Sequence, residues 1–251
     1  SLNLSDRYVS TKALSYSWSK DTKELLLEKI QDNEEHIYVK LEAAASLAKN
    51  GVEDGLTYIQ SCIHDEFLEN RLEAVIVLSE IENPKSNQIL VNVLLDNTQH
   101  IEIRSGAAWA LGQLKNRESI DVLIKSFKDL AENIKIEAAR ALSIIANRYT
   151  EEILDYFKTS SSEERAGISW AVSKAQKFSI SELLPLLTDD DSRRWISYII
   201  GSQKEEEFTD ELESLKEKDG EVYFAVTVLW QIMKSWIYNL EEYCCMLEPQ
   251  W

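Results

Sequence analysis

Histidine is the side chain of this sequence best suited to holding a metal or moving a proton near neutral pH. The chain contains three, His36, His64 and His100, and none is followed directly by Glu. They are separated by 28 and 36 residues, which is not the spacing of a ligand set on one helix. The His-Glu-x-x-His, Gly-x-Ser-x-Gly and glycine-rich phosphate-binding motifs do not occur in the sequence. We therefore expect surface histidines, no catalytic residues, and neither a metal nor a cofactor.

Carboxylates and thiols give no stronger signal of a metal site. The acidic runs at 189–191 and 205–207 lack the spacing of a calcium-binding loop. We expect the first run, Asp189 to Asp191, to cap the helix that contains Arg193. The three cysteines are Cys62 and the vicinal pair Cys244 and Cys245, which lack the spacing of a structural zinc site. We expect reduced thiols, and with them a cytoplasmic protein.

Aromatic and basic residues recur at one place in a repeated segment. Trp109, Arg140, Trp170 and Tyr198 follow one another at intervals of 31, 30 and 28 residues, and Arg194 precedes Tyr198 by one helical turn. Trp, Tyr and Arg dominate binding hot spots because they bury large areas with few rotatable bonds. This chemistry is recognition rather than catalysis, and it depends on elements that place the five residues on one face.

Those elements follow from a pattern that returns eight times. Each copy has a basic residue, small or aliphatic residues three and four positions later, and an aliphatic residue seven positions later. The copies start at Arg7, Lys40, Arg71, Arg104, Lys135, Arg165, Arg193 and, without the basic residue, Val222. A period of 28–33 residues indicates a solenoid. We predict one repeat domain over residues 1–251, with a C-terminal cap or tail at 237–251.

Each copy predicts two helices, the second of which carries the pattern. At about 100° per residue, offsets three and seven from the basic residue share one face, so these side chains should form the core. The offset-three column is Ser10, Ala43, Ala74, Ala107, Ala138, Ile168, Ile196 and Ala225, and the offset-seven column is Leu14, Leu47, Leu78, Leu111, Leu142, Val172, Ile200 and Leu229. Apolar stripes such as Leu25, Leu26 and Ile30 mark the preceding helices. We predict fifteen or sixteen helices, no sheet and an elongated curved shape.

The stretch from Ile103 to Leu114 resembles the consensus of the HEAT-like repeat family, in the short form described in phycobilisome lyase subunits. The stretch from Ile134 to Leu142 is nearly as close, and the resemblance extends from about Arg7 to Trp236. It implies an all-α fold, a right-handed α-α superhelix of about eight two-helix repeats, with the second helices lining the concave side. The outer copies depart from the consensus, as terminal caps do. The resemblance indicates the fold, whereas the repeat itself serves many functions.

The five recognition residues fall on the side of the second helices that faces away from the core. Trp109, Arg140, Trp170 and Tyr198 occupy offset five, and Arg194 occupies offset one. Because neighbouring helices in such stacks lie about 8–10 Å apart, these side chains should form a ladder along the concave wall. Trp109 and Trp170 could instead pack on the neighbouring helix, and the sequence leaves both interpretations open. The other tryptophans in the helical region, Trp18, Trp195, Trp230 and Trp236, are expected to be structural.

Charge restricts the class of partner. The 251 residues carry a net charge of −17, which argues against a general binder of nucleic acid and favours a basic partner. We expect no signal peptide, and polar residues interrupt the longest apolar run, at 222–240. We expect that run to be a buried terminal helix and predict no membrane association.

We therefore expect a non-catalytic scaffold or adaptor that binds a protein or peptide on its concave face. One alternative is an immunity or inhibitor protein that neutralises a basic toxin. Another is a HEAT-like enzyme, either a bilin lyase or chaperone or a DNA glycosylase. A repeat-built di-iron hydroxylase would require several His-Glu pairs, which this sequence lacks. A deep pocket around an isolated carboxylate would favour an enzyme, whereas a broad aromatic groove with an acidic rim would favour a binder.

Overall fold

A computed structural model describes residues 3–175, 179–203 and 205–230. These residues form α-helices joined by short turns and 3-10 segments, with no β-strand among them. The helices are α1 Leu4–Leu14, α2 Lys20–Gln31, α3 Ile37–Lys49, α4 Glu53–Cys62, α5 Leu68–Leu78, α6 Pro84–Leu95, α7 Ile101–Leu114, α8 Ile120–Lys125, α9 Glu132–Phe157, α10 Ser162–Val172, α11 Ile180–Leu183, α12 Asp190–Gly201, α13 Glu205–Lys218 and α14 over 220–230. The predicted all-α solenoid of two-helix repeats is confirmed.

The chain divides into two compact units, Ser1–Ile145 and Ala146–Trp251. Within the first unit, α3 packs against α1, α2, α4 and α5, and α7 packs against α5 and α6. Within the second, α10 packs against α12, and α11 against α13. The predicted tail at 237–251, together with Trp236, Trp251, Cys244 and Cys245, lies outside the described residues.

One predicted helix boundary is a kink rather than a loop. The second helix of the fifth repeat and the first helix of the sixth run together as α9, which bends at Tyr149 (φ −129°, ψ 39°). Counting α9 as two gives fifteen helices among the described residues, the lower of the two predicted numbers. The first helix of the seventh repeat is short, because α11 passes into a 3-10 segment containing Pro185 after one turn.

The central repeats bury the predicted core columns. Ala43, Ala74, Ala107 and Ala138 are buried at offset three, and the leucines at offset seven are buried beside them at positions 47, 78, 111 and 142. Small residues bring neighbouring helices close together, and leucine fills the remaining space. The prediction is wrong at the first repeat, where Ser10 is exposed and Thr11, one position later, is buried. Leu25 is also exposed rather than part of the apolar stripe.

The recurring basic residue ties neighbouring repeats together. In four copies it forms an ion pair with an acid 24–28 residues later: Arg7 with Glu35, Arg104 with Asp129, Arg165 with Asp189, and Arg193 with Asp219. The guanidinium nitrogen Nε of Arg165 also donates to the backbone oxygen of Phe157, at 3.1 Å. The anchor therefore satisfies the carbonyl end of the preceding helix and holds the next repeat in register.

Glu35 is the most enclosed acid of these pairs. Its carboxylate accepts hydrogen bonds from Arg7 Nε and Lys29 Nζ, both at 3.0 Å, and from the backbone N–H of His36 at 2.9 Å. Burial alone would raise the pKa of this carboxyl, but the three hydrogen bonds outweigh burial and hold the pKa below its ordinary value. Glu35 thus stabilises the fold in its ionised form.

A carboxyl with a lowered pKa in the folded state stabilises the chain above its unfolded pKa of about 4.3, and this stability is lost as pH falls through the lower folded value. We expect Glu35→Gln to reduce the free energy of unfolding by about 2 kcal/mol at pH 7, because charged hydrogen bonds are lost. The deficit should shrink below pH 4. Urea titrations from pH 3 to 7 measure both effects, with Glu34→Gln at an exposed neighbouring position as the control. A pH-independent deficit would contradict the assignment.

Among the described residues, no helix combines the length with the apolar character that crossing a bilayer requires.

Candidate binding surfaces on the second helices

The first unit holds two of the five predicted recognition residues. Trp109 lies on α7 with 37% of its surface exposed. Arg140 lies on α9, half-buried, and its guanidinium nitrogen pairs with the carboxylate of Glu137 at 2.6 Å. Ile136, one turn before Arg140, is exposed. This part of α9 therefore offers an apolar side chain beside an oriented cation.

The second unit holds the other three predicted recognition residues, Trp170, Arg194 and Tyr198. Two of them, Arg194 and Tyr198, pack on the ring of Trp195. The guanidinium carbon of Arg194 lies 4.8 Å from the ring centroid of Trp195, and Tyr198 meets the same ring edge-on with centroids 6.2 Å apart. The indole N–H of Trp195 donates to Asp191 at 3.2 Å. Three side chains are thus held in place by their neighbours, so little conformational entropy remains to be lost on binding.

Trp170 has a similar arrangement on α10. Its ring is half-buried, and the ammonium of Lys174, one turn later, lies 5.6 Å from the ring centroid. A cation over an aromatic face is attracted by the ring quadrupole. Trp170 is therefore neither a core residue nor a free surface side chain. A single groove joining Trp109 to Trp170 remains a prediction, since the two residues belong to different units.

Three helices of the first unit carry a cluster of ionisable side chains that the repeat pattern does not predict. We call it the amino-terminal charged cluster. It comprises Tyr8 and Lys12 of α1, Glu42 and Lys49 of α3, Glu73 of α5, and Glu80 just after α5. Lys12 Nζ lies 3.1 Å from the Glu80 carboxylate and 3.8 Å from that of Glu42, and Lys49 Nζ lies 2.7 Å from Glu80. Glu42 interacts electrostatically with each of the other five members.

The carboxyls of this cluster differ in their proton affinity. Burial raises the pKa of Glu42, although Lys12 and a hydrogen bond from Tyr8 oppose the rise. Burial also raises the pKa of Glu73, and the negative charges of Glu42 and Glu80 raise it further. For Glu80, hydrogen bonds from the two lysines outweigh burial and lower the pKa. Glu73 forms no hydrogen bond or ion pair within the described residues, so its charge is the least compensated of the three.

One ion pair of the charged cluster joins the first repeat to the third. Lys12 and Glu80 are 68 positions apart, and Lys12 Nζ donates to the Glu80 carboxylate at 3.1 Å. In the repeat between them, Ala45 occupies offset five, the position that we expected to face outward, but it is buried.

The histidines have local structural roles. The Nδ1 atoms of His36 and His100 accept hydrogen bonds from the backbone N–H groups of Tyr38 and Glu102, so both residues cap the helices that follow them. Asp189 caps α12, as expected. Of the tryptophans expected to be structural, Trp230 is buried and Trp18 is exposed. In the described ranges, no three side chains of the His, Cys, Asp and Glu types converge as a metal site would require.

Comparison with known proteins identifies the repeat. Residues 94–173 match the family model of HEAT repeats. This segment of the chain is built from HEAT-like repeats. The matched segment runs from the end of α6 through α10, which includes Trp109, Arg140 and Trp170. No curated protein matches the sequence. The finer assignment to the phycobilisome lyase type is not supported by these matches.

Solved structures with a similar chain course include a human enzyme, an engineered protein and a designed armadillo repeat protein. Human deoxyhypusine hydroxylase is 12% identical, with 86% of this chain and 96% of that chain covered and a TM-score of 0.39. An engineered protein is 19% identical over 85% and 96% of the two chains, with a TM-score of 0.41. A designed armadillo repeat protein in complex with the peptide (KR)4 is 17% identical over 82% and 97%, with a TM-score of 0.37. At these values the likenesses carry no functional inference.

Proposed function

We propose that this HEAT-like repeat protein binds a protein or peptide through the outward side of its second helices. The observation that carries the proposal is the partial burial of three large side chains, Trp109, Trp170 and Tyr198, at the same offset of the fourth, sixth and seventh repeats. Neighbouring groups hold Trp170 and Tyr198 in place. Rigid aromatic side chains of this kind contribute strongly to binding because they lose little entropy.

The proposed partner is basic. The net charge of −17 favours encounter with a positive surface and disfavours nucleic acid. Within the first unit, Glu73 adds an incompletely compensated carboxylate on the same side of the second helices as Lys12. The immunity or inhibitor alternative belongs to the same proposal, because a basic toxin would satisfy the same chemistry.

We propose binding rather than catalysis, and a cytoplasmic location. Two histidines are occupied as helix caps, and Glu35 and Glu80, whose pKa values are lowered, lie in ion-pair networks of the fold. Cys62 is a buried free thiol, which suits a reducing compartment. These features support the proposal and leave the partner to be found by experiment.

The test begins with affinity capture of the partner from native lysate and continues with titration of the purified pair. Trp109→Ala and Trp170→Ala should each weaken affinity by about 2 kcal/mol, roughly thirtyfold, if the rings are hot spots. The matched control is Trp18→Ala, since Trp18 is 38% exposed, almost the same as Trp109, but lies before α2. Higher salt should mainly slow association.

Circular dichroism of each variant separates binding from packing. We expect melting temperatures close to wild type, because partly exposed rings contribute little to the core. Normal affinity in a double Trp109→Ala and Trp170→Ala variant would refute the ladder. Unfolding of that variant would identify the tryptophans as packing residues and would also refute it.

A further inference from the structure

Four large apolar side chains are exposed along one edge of the first unit, where first helices end and second helices begin. Phe67 immediately precedes α5, Leu95 ends α6, Ile101 begins α7 and Leu130 lies just before α9. Their exposed fractions are 59%, 56%, 37% and 102%. We call this set the apolar edge. It is separate from the outward side of the second helices, because none of its members lies at offset one or five of a repeat.

Contacts of one arginine connect the segments that carry three members of the apolar edge. Arg104 Nε donates to the backbone oxygen of Leu94 at 2.9 Å, and its guanidinium pairs with the carboxylate of Asp129. Leu94 adjoins Leu95, Asp129 adjoins Leu130, and Ile101 precedes Arg104 by one helical turn. The three exposed side chains therefore branch from a single ion-paired junction between repeats.

A contact between loops extends the edge to Phe67. The side-chain nitrogen of Gln99 lies 3.5 Å from His64 Nδ1, which joins the turn before Phe67 to the turn before Ile101. Beside this contact is a shallow recess between α4 and α6. Its lining includes the apolar residues Ile63, Ile89 and Val93 and the polar residues His64, Asp96 and Gln99. The side-chain oxygen of Gln99 is buried and has no hydrogen-bond partner among the described residues.

The fold does not need apolar side chains at these places. Phe67 occupies the N-cap position of α5 and makes no capping hydrogen bond. The carboxylate of Asp65, two positions earlier, instead accepts from the backbone N–H of Phe67 itself at 2.9 Å, and Asp129 accepts from the N–H of Ala131 in the same way. Apolar residues are poor N-caps, and an exposed one gains nothing from burial. Phe67 and Leu130 therefore remain exposed in the fold, and their burial would contribute favourable free energy to the binding of a partner.

The charges around the apolar edge indicate the sign of the charge that the partner carries. The exposed charged side chains flanking the four apolar residues are mostly acidic: Glu66, Glu69, Glu102 and Glu132, against Lys128. An apolar surface bordered by carboxylates is complementary to leucine-like side chains flanked by positive charges.

We propose that the apolar edge is a second docking surface, which binds a protein segment that presents apolar side chains flanked by lysine or arginine. The partner's apolar side chains cover Phe67, Leu95, Ile101 and Leu130, and its basic side chains pair with the carboxylates that border them. The edge would thus hold one part of a partner while the second helices hold another, which raises avidity without enlarging either surface.

The test uses a fluorescein-labelled peptide with the repeating sequence Leu-Lys-Lys-Leu, and a matched peptide in which glutamates replace the lysines. Wild-type protein should bind the lysine peptide and not the glutamate peptide. A double variant, Phe67→Ser with Leu130→Ser, should lose about tenfold or more in affinity. The matched control is Val9→Ser with Tyr16→Ser, two exposed apolar residues away from the edge, and it should bind as wild type does.

Trp109→Ala separates this surface from the ladder. Unchanged peptide affinity in Trp109→Ala, together with loss in the edge variant, supports the proposal. Loss in Trp109→Ala with normal binding by the edge variant overturns the proposal, as does failure of the wild type to bind the lysine peptide. Sedimentation that shows wild-type dimers dissociated by the edge substitutions would assign the surface to a second copy of the chain, and would also overturn it. Leu130→Ser alone guards against unfolding, because that side chain is fully exposed.

Discussion

Leu111→Ala is expected to lower the free energy of unfolding by about 2–5 kcal/mol. Leu111 lies on α7 in the middle of the first unit with none of its surface exposed, and Ala107 and Ala108 are buried on the same helix. Removal of its branched end forfeits burial and leaves a cavity. Relaxation can fill little of that cavity, because Gly112, the next residue, already brings α7 close to Ala141 of α9. Urea denaturation followed by circular dichroism measures the loss.

The matched control for this substitution is Leu130→Ala. It removes the same atoms from a leucine that is fully exposed, so the free energy of unfolding should change by less than about 0.5 kcal/mol. Equal stability of the two variants would mean that the helical register of α7 is wrong. Because Leu130 belongs to the apolar edge, the control also establishes that an edge variant retains the fold.

The repeated pattern predicted which side of each second helix is buried, because the core residues of one repeat pack against the equivalent residues of its neighbours. Leu47 and Leu111 are buried for this reason. The pattern failed at the first repeat: Ser10 is exposed, because it lacks a preceding helix to pack on within the described residues. It also missed the kink at Tyr149, since no Gly or Pro marks the break between the two halves of α9.

Surface chemistry was harder to predict, because it depends on contacts between distant repeats and on loops. Lys12 and Glu80 lie in the first and third repeats, and the repeat pattern alone does not predict that they form an ion pair. Phe67 and Leu130 lie outside the helical period, so periodicity assigns them no face. The aspartates just before them, Asp65 and Asp129, were visible in the sequence, and they are the signal that could have identified these side chains as free for binding.

A second large effect is expected at Gly55, where two helices of the first unit cross most closely. A Cβ at this position would overlap the backbone oxygen of Ala44 and lie 2.8 Å from the backbone nitrogen of Ala48. The obstacle is backbone rather than a movable side chain, so α3 and α4 must separate to admit even a methyl group. We expect Gly55→Ala to cost about 1–3 kcal/mol through overpacking, although alanine is the better helix former by about 1 kcal/mol.

Gly220→Ala is the control that isolates this steric term. Gly220 also lies in a helix, α14, but a Cβ there would meet nothing within 4 Å. The same substitution should therefore leave stability unchanged or raise it by up to about 1 kcal/mol, since only helix propensity acts. Opposite signs for the two variants in urea denaturation would establish that close approach of α3 and α4 requires glycine. A stabilising Gly55→Ala would show that the two helices cross farther apart, and the packing of the second and third repeats would need revision.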